Sequence, residues 1–184
     1  AATPTLTPTP TPTPSERPTP TSAPSDRLAA AQRAFAWGDY ARARDEFAAL
    51  LADPGADKTE RQVAAYWVGR SALEAGDYEA ALSPLQDFVQ TYPAASQVPS
   101  AHFLMGRAYE GLSNWHGAIA AYQAYLEGDD TLAVYAYRAI GQAAMLALEY
   151  DRAAQAYADG VRVAPDAGWT VHMREGIAQA ELAR

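Results

Sequence analysis

Four segments of this chain repeat one another, and a chain with such a repeat folds most readily as a stack of like units. They are GDYARARDEF (38–47), GDYEAALSPL (76–85), SNWHGAIAAY (113–122) and LEYDRAAQAY (148–157). Each has an aromatic at its third place, Tyr40, Tyr78, Trp115 and Tyr150, and these are spaced by 38, 37 and 35 residues. Each has alanine at its sixth place: Ala43, Ala81, Ala118 and Ala153. A small residue recurs upstream of the later three, at Gly69, Gly106 and Gly141, and again at Gly176. Apolar positions within each unit follow helical spacing. A period of this length fits a helical hairpin, which buries its apolar face only by stacking on its neighbours.

The small residues let the first helix of a hairpin approach the second, and the aromatics fill space between hairpins. Local signals place the helix edges. Asp39, Asp77 and Asn114 are suited to cap each second helix, Thr59 and Gln62 to form a capping box, and Pro99 to sit in a first helical turn. Pro84 falls inside the second helix of the second unit, where it removes a donor and predicts a kink or a late start.

The combined pattern resembles the tetratricopeptide repeat family over about residues 27–184. Ala31, Gly69, Gly106, Gly141 and Gly176 fall on that family's small helix A position, and Phe47, Leu85, Tyr122 and Tyr157 on its large helix B position. Pro54, Pro93 and Pro165 match its closing proline, while the third unit departs with Asp130 near that point. The resemblance implies an all-α solenoid of about four hairpins, over residues 27–54, 60–93, 97–130 and 132–165. A final helix over 168–183 would be either a cap or half a repeat. The solenoid domain as a whole is expected over 26–184.

The N-terminal segment obeys different physics. Residues 1–25 contain eight Pro and eight Thr, and Leu6 is their one bulky apolar residue. Such a segment cannot bury a core. Each Pro fixes φ and biases the residue before it to extended geometry, which predicts a polyproline II arm of about 3.1 Å per residue. Ordering its backbone would require a partner, because each fixed residue costs about 1–2 kcal/mol. Thr/Pro-rich tracts are compositional candidates for O-glycosylation, here at Thr7, Thr9, Thr11, Thr13, Thr19 and Thr21, with a plain linker as the alternative.

Charge narrows the function. With 14 basic against 22 acidic side chains, the net charge of -8 repels phosphate backbones and anionic lipid surfaces, so nucleic acid is not an expected partner. No apolar run is long enough to span a bilayer, and with no cysteine there is no disulfide or thiolate metal site. The start at Ala1 and the tail composition fit a secreted or cell-surface chain after signal removal, or a periplasmic one.

No catalytic constellation emerges, so no enzyme activity, cofactor or metal is expected. His102, His116 and His172 are far apart in sequence, and the family alignment sets His102 and His172 at packing positions. Asp129 and Asp130 offer too few oxygens for calcium and read as solvated. Lys58 is the one lysine and Asn114 the one asparagine, which argues against the Lys/Asn carboxylate clamp of some family members.

The resemblance implies a concave surface lined by helix A side chains. Transferred residue by residue, these are Gln32 and Phe35, then Tyr66, Arg70 and Leu73, then Phe103, Arg107 and Glu110, then Tyr135, Arg138, Gln142 and Met145. Flat aromatics pack on proline rings while Arg and Gln bond free carbonyls, so an extended Pro-rich strand is a fitting ligand. The expected partner is another copy of the chain, its tail anchored by Leu6 in the neighbour's groove, giving a head-to-tail filament. The alternatives are an envelope adaptor that takes peptides from other proteins, and the noncatalytic helical part of a cell-wall enzyme.

Overall fold

The computed structural model describes residues 23–184. The polyproline arm, its Leu6 anchor and the candidate glycosylation threonines lie outside the described residues.

Among the described residues there are nine α-helices and no strand: α1 (Pro24–Ala36), α2 (Tyr40–Leu51), α3 (Lys58–Glu74), α4 (Tyr78–Thr91), α5 (Val98–Gly111), α6 (Trp115–Gly128), α7 (Ala133–Leu146), α8 (Tyr150–Val163) and α9 (Ala167–Ala183). Each packs on its neighbours in the chain, and the odd-numbered helices also touch along the stack, α1 on α3, α3 on α5 and α7 on α9. This is the hairpin solenoid that the repeats predict.

The repeat positions carry the packing. Ala43, Ala81, Ala118 and Ala153 are all fully buried, as are Phe47 and Leu85, with Tyr122 and Tyr157 nearly so. The small residues of the odd helices face these large ones. A Cβ on Gly69 would stand 2.5 Å from Leu85, on Gly106 2.6 Å from Tyr122 and on Gly141 2.7 Å from Tyr157. Tyr157 is clamped from its other edge by Gly176 of α9, where the gap is again 2.7 Å. Three consecutive apolar clusters result, one over α1, α2 and the start of α3, one over α3–α5 and one over α6–α9.

Helix edges match the sequence signals in three places. Asp39, Asp77 and Asn114 accept hydrogen bonds from the backbone of Arg42, Ala80 and Gly117 at 3.3, 3.1 and 3.0 Å. Pro99 lies in the first turn of α5.

Four expectations change. The capping box of α3 is made by Asp57 and Glu60, with reciprocal bonds of 2.8 and 2.9 Å, rather than by Thr59 and Gln62. Asp57 wins because a carboxylate is a good cap acceptor and extended backbone geometry falls at that residue. The tail gives way to helix at Pro24, earlier than its composition suggests, since proline suits the first helical position. Helix α4 starts at Tyr78 and runs through Pro84. The carbonyl that loses its donor belongs to Ala80, which is exposed, so nothing forces the helix to break there. His172 is exposed rather than packed.

The last described helix, α9, packs on α8 and α7. Residues Met173, Gly176 and Ala180 of α9 face inward, while Val171, His172, Arg174, Glu175 and Gln179 face solvent. The outward side of α9 also exposes Leu182, at 89%.

Candidate functional site

Charged side chains of opposite sign alternate along three odd-numbered helices: Arg70 and Glu74 on α3, Arg107 and Glu110 on α5, Arg138 on α7. The repeat produces it by setting Arg70 and Arg107 directly after the buried glycines Gly69 and Gly106. One direct ion pair crosses between repeats, from Arg107 to Glu74 at 2.9 Å. Arg70 and Arg138 have no carboxylate within ion-pair distance among the described residues.

Both unpaired arginines lie over aromatic rings. The Arg70 guanidinium carbon is 4.6 Å from the Trp67 ring centre and 5.2 Å from that of Phe35. Those rings meet edge-on at 4.8 Å, and Phe47 stacks behind Trp67 at 5.7 Å. Arg138 lies 5.7 Å over Trp169, which is itself held edge-on by Tyr135 at 4.8 Å. Aromatic contact of this kind attracts the cation and fixes the direction of its fork.

Glu110 is the half-buried anion of this series. Its Oε2 accepts a 2.8 Å bond from the hydroxyl of Tyr122. Burial lifts its carboxyl above the usual carboxylate range, while the Tyr122 bond and the charges of Arg138 and Arg107 pull the other way. Burial also raises the phenols of Tyr66, Tyr122 and Tyr157. These phenols therefore stay neutral donors at ordinary pH.

Three clefts open along these helices. Arg70 shares one of about 370 Å³ with Tyr66, Ser100, Phe103, Tyr125 and Asp129. Arg138 shares one of about 380 Å³ with Asp166, Gly168, Trp169 and His172. Glu110 and Gln142 share a third of about 390 Å³ with Trp115, Met145, Leu146 and Glu175. The set can offer guanidinium and amide donors to carbonyl or carboxylate groups, with ring faces beside them.

The residues expected from the sequence divide into two groups. Arg107, Tyr135 and Gln142 are exposed, and Phe35, Arg70, Phe103 and Arg138 are half-buried. Tyr66 and Leu73 are buried, at 7% and 3% exposure. Leu73 belongs to the inter-repeat core, because its position faces the next repeat once α3 and α5 are packed. Phe103 is drawn inward by Tyr122 and Tyr125, with ring centres 5.2 Å away in each case.

Sequence reasoning missed Trp67, Glu74 and Trp169. Trp67 was legible as the residue one helical turn before Arg70 on the same face. Trp169 was not, since α9 was read only as an end piece. The histidines do not converge: His116 bonds Glu149 at 3.0 Å, and His102 is held below its ordinary pKa by burial. No group of three or more His, Asp or Glu fit to hold a metal occurs among the described residues, and none of the described helices is long and apolar enough to cross a membrane.

Comparison with known proteins agrees with the helical repeat fold. The tetratricopeptide repeat family model matches residues 63–95 and 100–129. No curated protein matches the sequence. Among solved structures, the chain is similar to nearly identical TPR-like repeats of a Podosopora anserina protein described as a kinesin light chain. The TM-score is 0.65 at 13% identity, covering 89% of this chain and 88% of that one. The chain thus carries tetratricopeptide repeats in its centre and has the fold of a tetratricopeptide-like solenoid.

Proposed function

We propose that this chain is a noncatalytic protein-binding module whose concave surface takes an extended segment of another polypeptide. The observation that supports it most is Arg70 held over Trp67 and Phe35 with no carboxylate partner among the described residues, a donor set in place before any ligand arrives. The neighbouring rings and clefts suit side chains of a strand that crosses the repeats. Selection of random peptides on the full chain tests this. Enriched peptides should weaken severalfold on Gln142→Ala or Tyr135→Ala, both of which alter exposed side chains; peptides indifferent to these changes would refute the groove.

A narrower reading makes the Thr/Pro tail of a neighbouring copy the occupant, with Leu6 as plug, in a secreted or cell-surface filament bearing sugars on its exposed threonines. Its support is chemical: a proline-rich strand has free carbonyls for guanidinium donors and rings for aromatic faces. Deleting residues 1–14 should abolish assembly and leave the solenoid folded. A full-length chain that is monomeric by light scattering, or filaments that survive the deletion, would end this reading.

A further inference from the structure

We propose that Arg17, Pro18, Thr19 and Pro20 dock on their own solenoid, in an apolar cleft walled by the even-numbered helices α2 and α4. The proposal is independent of the peptide-groove reading and leaves residues 1–14 free to act elsewhere.

The cleft has a volume of about 240 Å³ and is lined chiefly by Leu51, Ala65, Val68, Pro84, Phe88 and Tyr92. Leu51 stands at its rim, 40% exposed. The repeat brings corresponding positions together between α4 and α6 and between α6 and α8, with different chemistry. Ala48 lies five residues after the buried Ala43, where the later units carry Gln86 and Gln123. Ala65 lies four residues before Gly69, where they carry His102 and Tyr137. Gln86 donates to the Tyr109 hydroxyl at 3.0 Å, and Gln123 accepts from Arg152 at 3.1 Å across a cleft that also holds Glu127, Gln155 and Asp159. Polar side chains thus occupy the later positions, while the first keeps an apolar lining.

The first cleft is also the one beside which the N-terminal segment joins the solenoid. Pro24 opens α1 against the loop after α2, where a Cβ on Gly55 would stand 3.7 Å from its Cγ. One turn on, Arg27 donates to the Ala49 carbonyl at 3.4 Å and pairs with Asp53 at 3.5 Å. Ala49 and Asp53 flank Leu51 in the chain, so the start of α1 is tied to the segment that carries the rim of the cleft. Residues 17–22 in extended polyproline geometry span about 19 Å, and crossing one helix takes about 10–12 Å.

The chemistry of the two sides matches. Pro18 and Pro20 offer apolar rings to the Tyr92 and Pro84 rings, and a proline-restricted strand loses less freedom on docking than an ordinary one. Asp87 is the one charged residue that lines the cleft. It is exposed and makes no hydrogen bond or ion pair among the described residues. Arg17 is the one base in residues 1–22, next to the two prolines. Seated with its prolines in the cleft and Arg17 on Asp87, the segment bridges the first and second hairpins.

The test uses the full chain, which has no cysteine of its own, with a nitroxide on Thr19→Cys and methyl signals read by NMR. The label should broaden Leu51 and Val68 in the cleft and spare Leu126 and Ile140 in the corresponding cleft between α6 and α8. Asp87→Arg should reduce the broadening at Val68 roughly two- to fourfold, the scale of an exposed ion pair, and Arg17→Asp in that background should restore it. Ala48→Gln, which installs the residue of the later units, should reduce it at least as much. Ala48 and Asp87 are both exposed, so the helices stay intact, as circular dichroism of each variant checks. Broadening at Val68 that is indifferent to Ala48→Gln and Asp87→Arg overturns the proposal. So does stronger broadening of the cleft by a nitroxide on Thr5→Cys, which assigns it to the stretch around Leu6. Broadening seen only between chains, in a mixture of spin-labelled and isotope-enriched copies, gives the cleft to a neighbour's tail and overturns it as well.

Discussion

The ring of Tyr122 lies so close over Gly106 that a Cβ there would sit 2.6 Å from its Cε1. Tyr122 is 1% exposed and tied to Glu110, so it has little room to retreat. Gly106→Ala should cost on the order of 3 kcal/mol in overpacking and regain about 1 from helix propensity, a net loss of roughly 2 kcal/mol. Urea unfolding measures it. In a Tyr122→Leu background the same substitution should cost much less, because the two changes share one contact.

Glu110 makes stability depend on pH. Its folded-state pKa is raised by burial, so the folded chain holds that proton more firmly than the unfolded one. Its contribution is present below the unfolded value and is lost as pH rises through the folded one. Glu110→Gln removes this dependence while keeping an acceptor for Tyr122. The variant should gain stability relative to the parent as pH rises from about 4.3, the ordinary glutamate value, toward neutral. A stability difference that stays flat across this range in urea melts would show that burial does not govern the group.

The hairpin turns differ in backbone cost. Gly38 and Gly76 have φ of +80° and +81°, and the later two turns place Ser113 and Leu148 at +55° and +62°. Nothing lies within 4 Å of a Cβ on Gly76, yet Gly76→Ala should lose about 1–2 kcal/mol, since the penalty is in the left-handed backbone and not in packing. Leu148 is 70% exposed, so Leu148→Gly gives up little contact. Relief of strain of about 1–2 kcal/mol, less a glycine entropy cost of about 0.4–1, should leave that variant slightly more stable. Paired thermal melts of the two variants should shift in opposite directions.

The start of α3 discriminates between two caps. Asp57→Ala should destabilise by about 1 kcal/mol, as expected for loss of an N-cap acceptor. Thr59→Ala should change stability by less than about 0.5 kcal/mol, since Thr59 is an exposed residue in the first turn. A larger effect at Thr59 than at Asp57, read from urea midpoints, would reverse the assignment.

Much of the solenoid was legible because its signals are local or repeat. The glycine and alanine positions, the large residues opposite them and three of the helix caps follow from spacing and side-chain chemistry within one hairpin. The capping box was misplaced by two residues because Asp57 and Thr59 are both good caps, and backbone geometry chooses between them. The expected odd-helix stripe is matched only in part by exposure, residue by residue. Arg107 is exposed and Arg70 and Arg138 are half-buried, while Leu73 turns into the core.

The repeat pattern was enough to set the helical hairpins, their order and their stacking, because small-against-large packing recurs wherever the repeat recurs. Packing between hairpins, by contrast, pairs Glu74 with Arg107 across the repeat boundary and lays Arg70 over Trp67 and Arg138 over Trp169. Those relationships depend on how neighbouring hairpins are set against each other, and pairwise charge and ring contacts between repeats leave no periodic mark in the chain. The same packing, and not the stripe of residues alone, sets which side chains remain open to a partner.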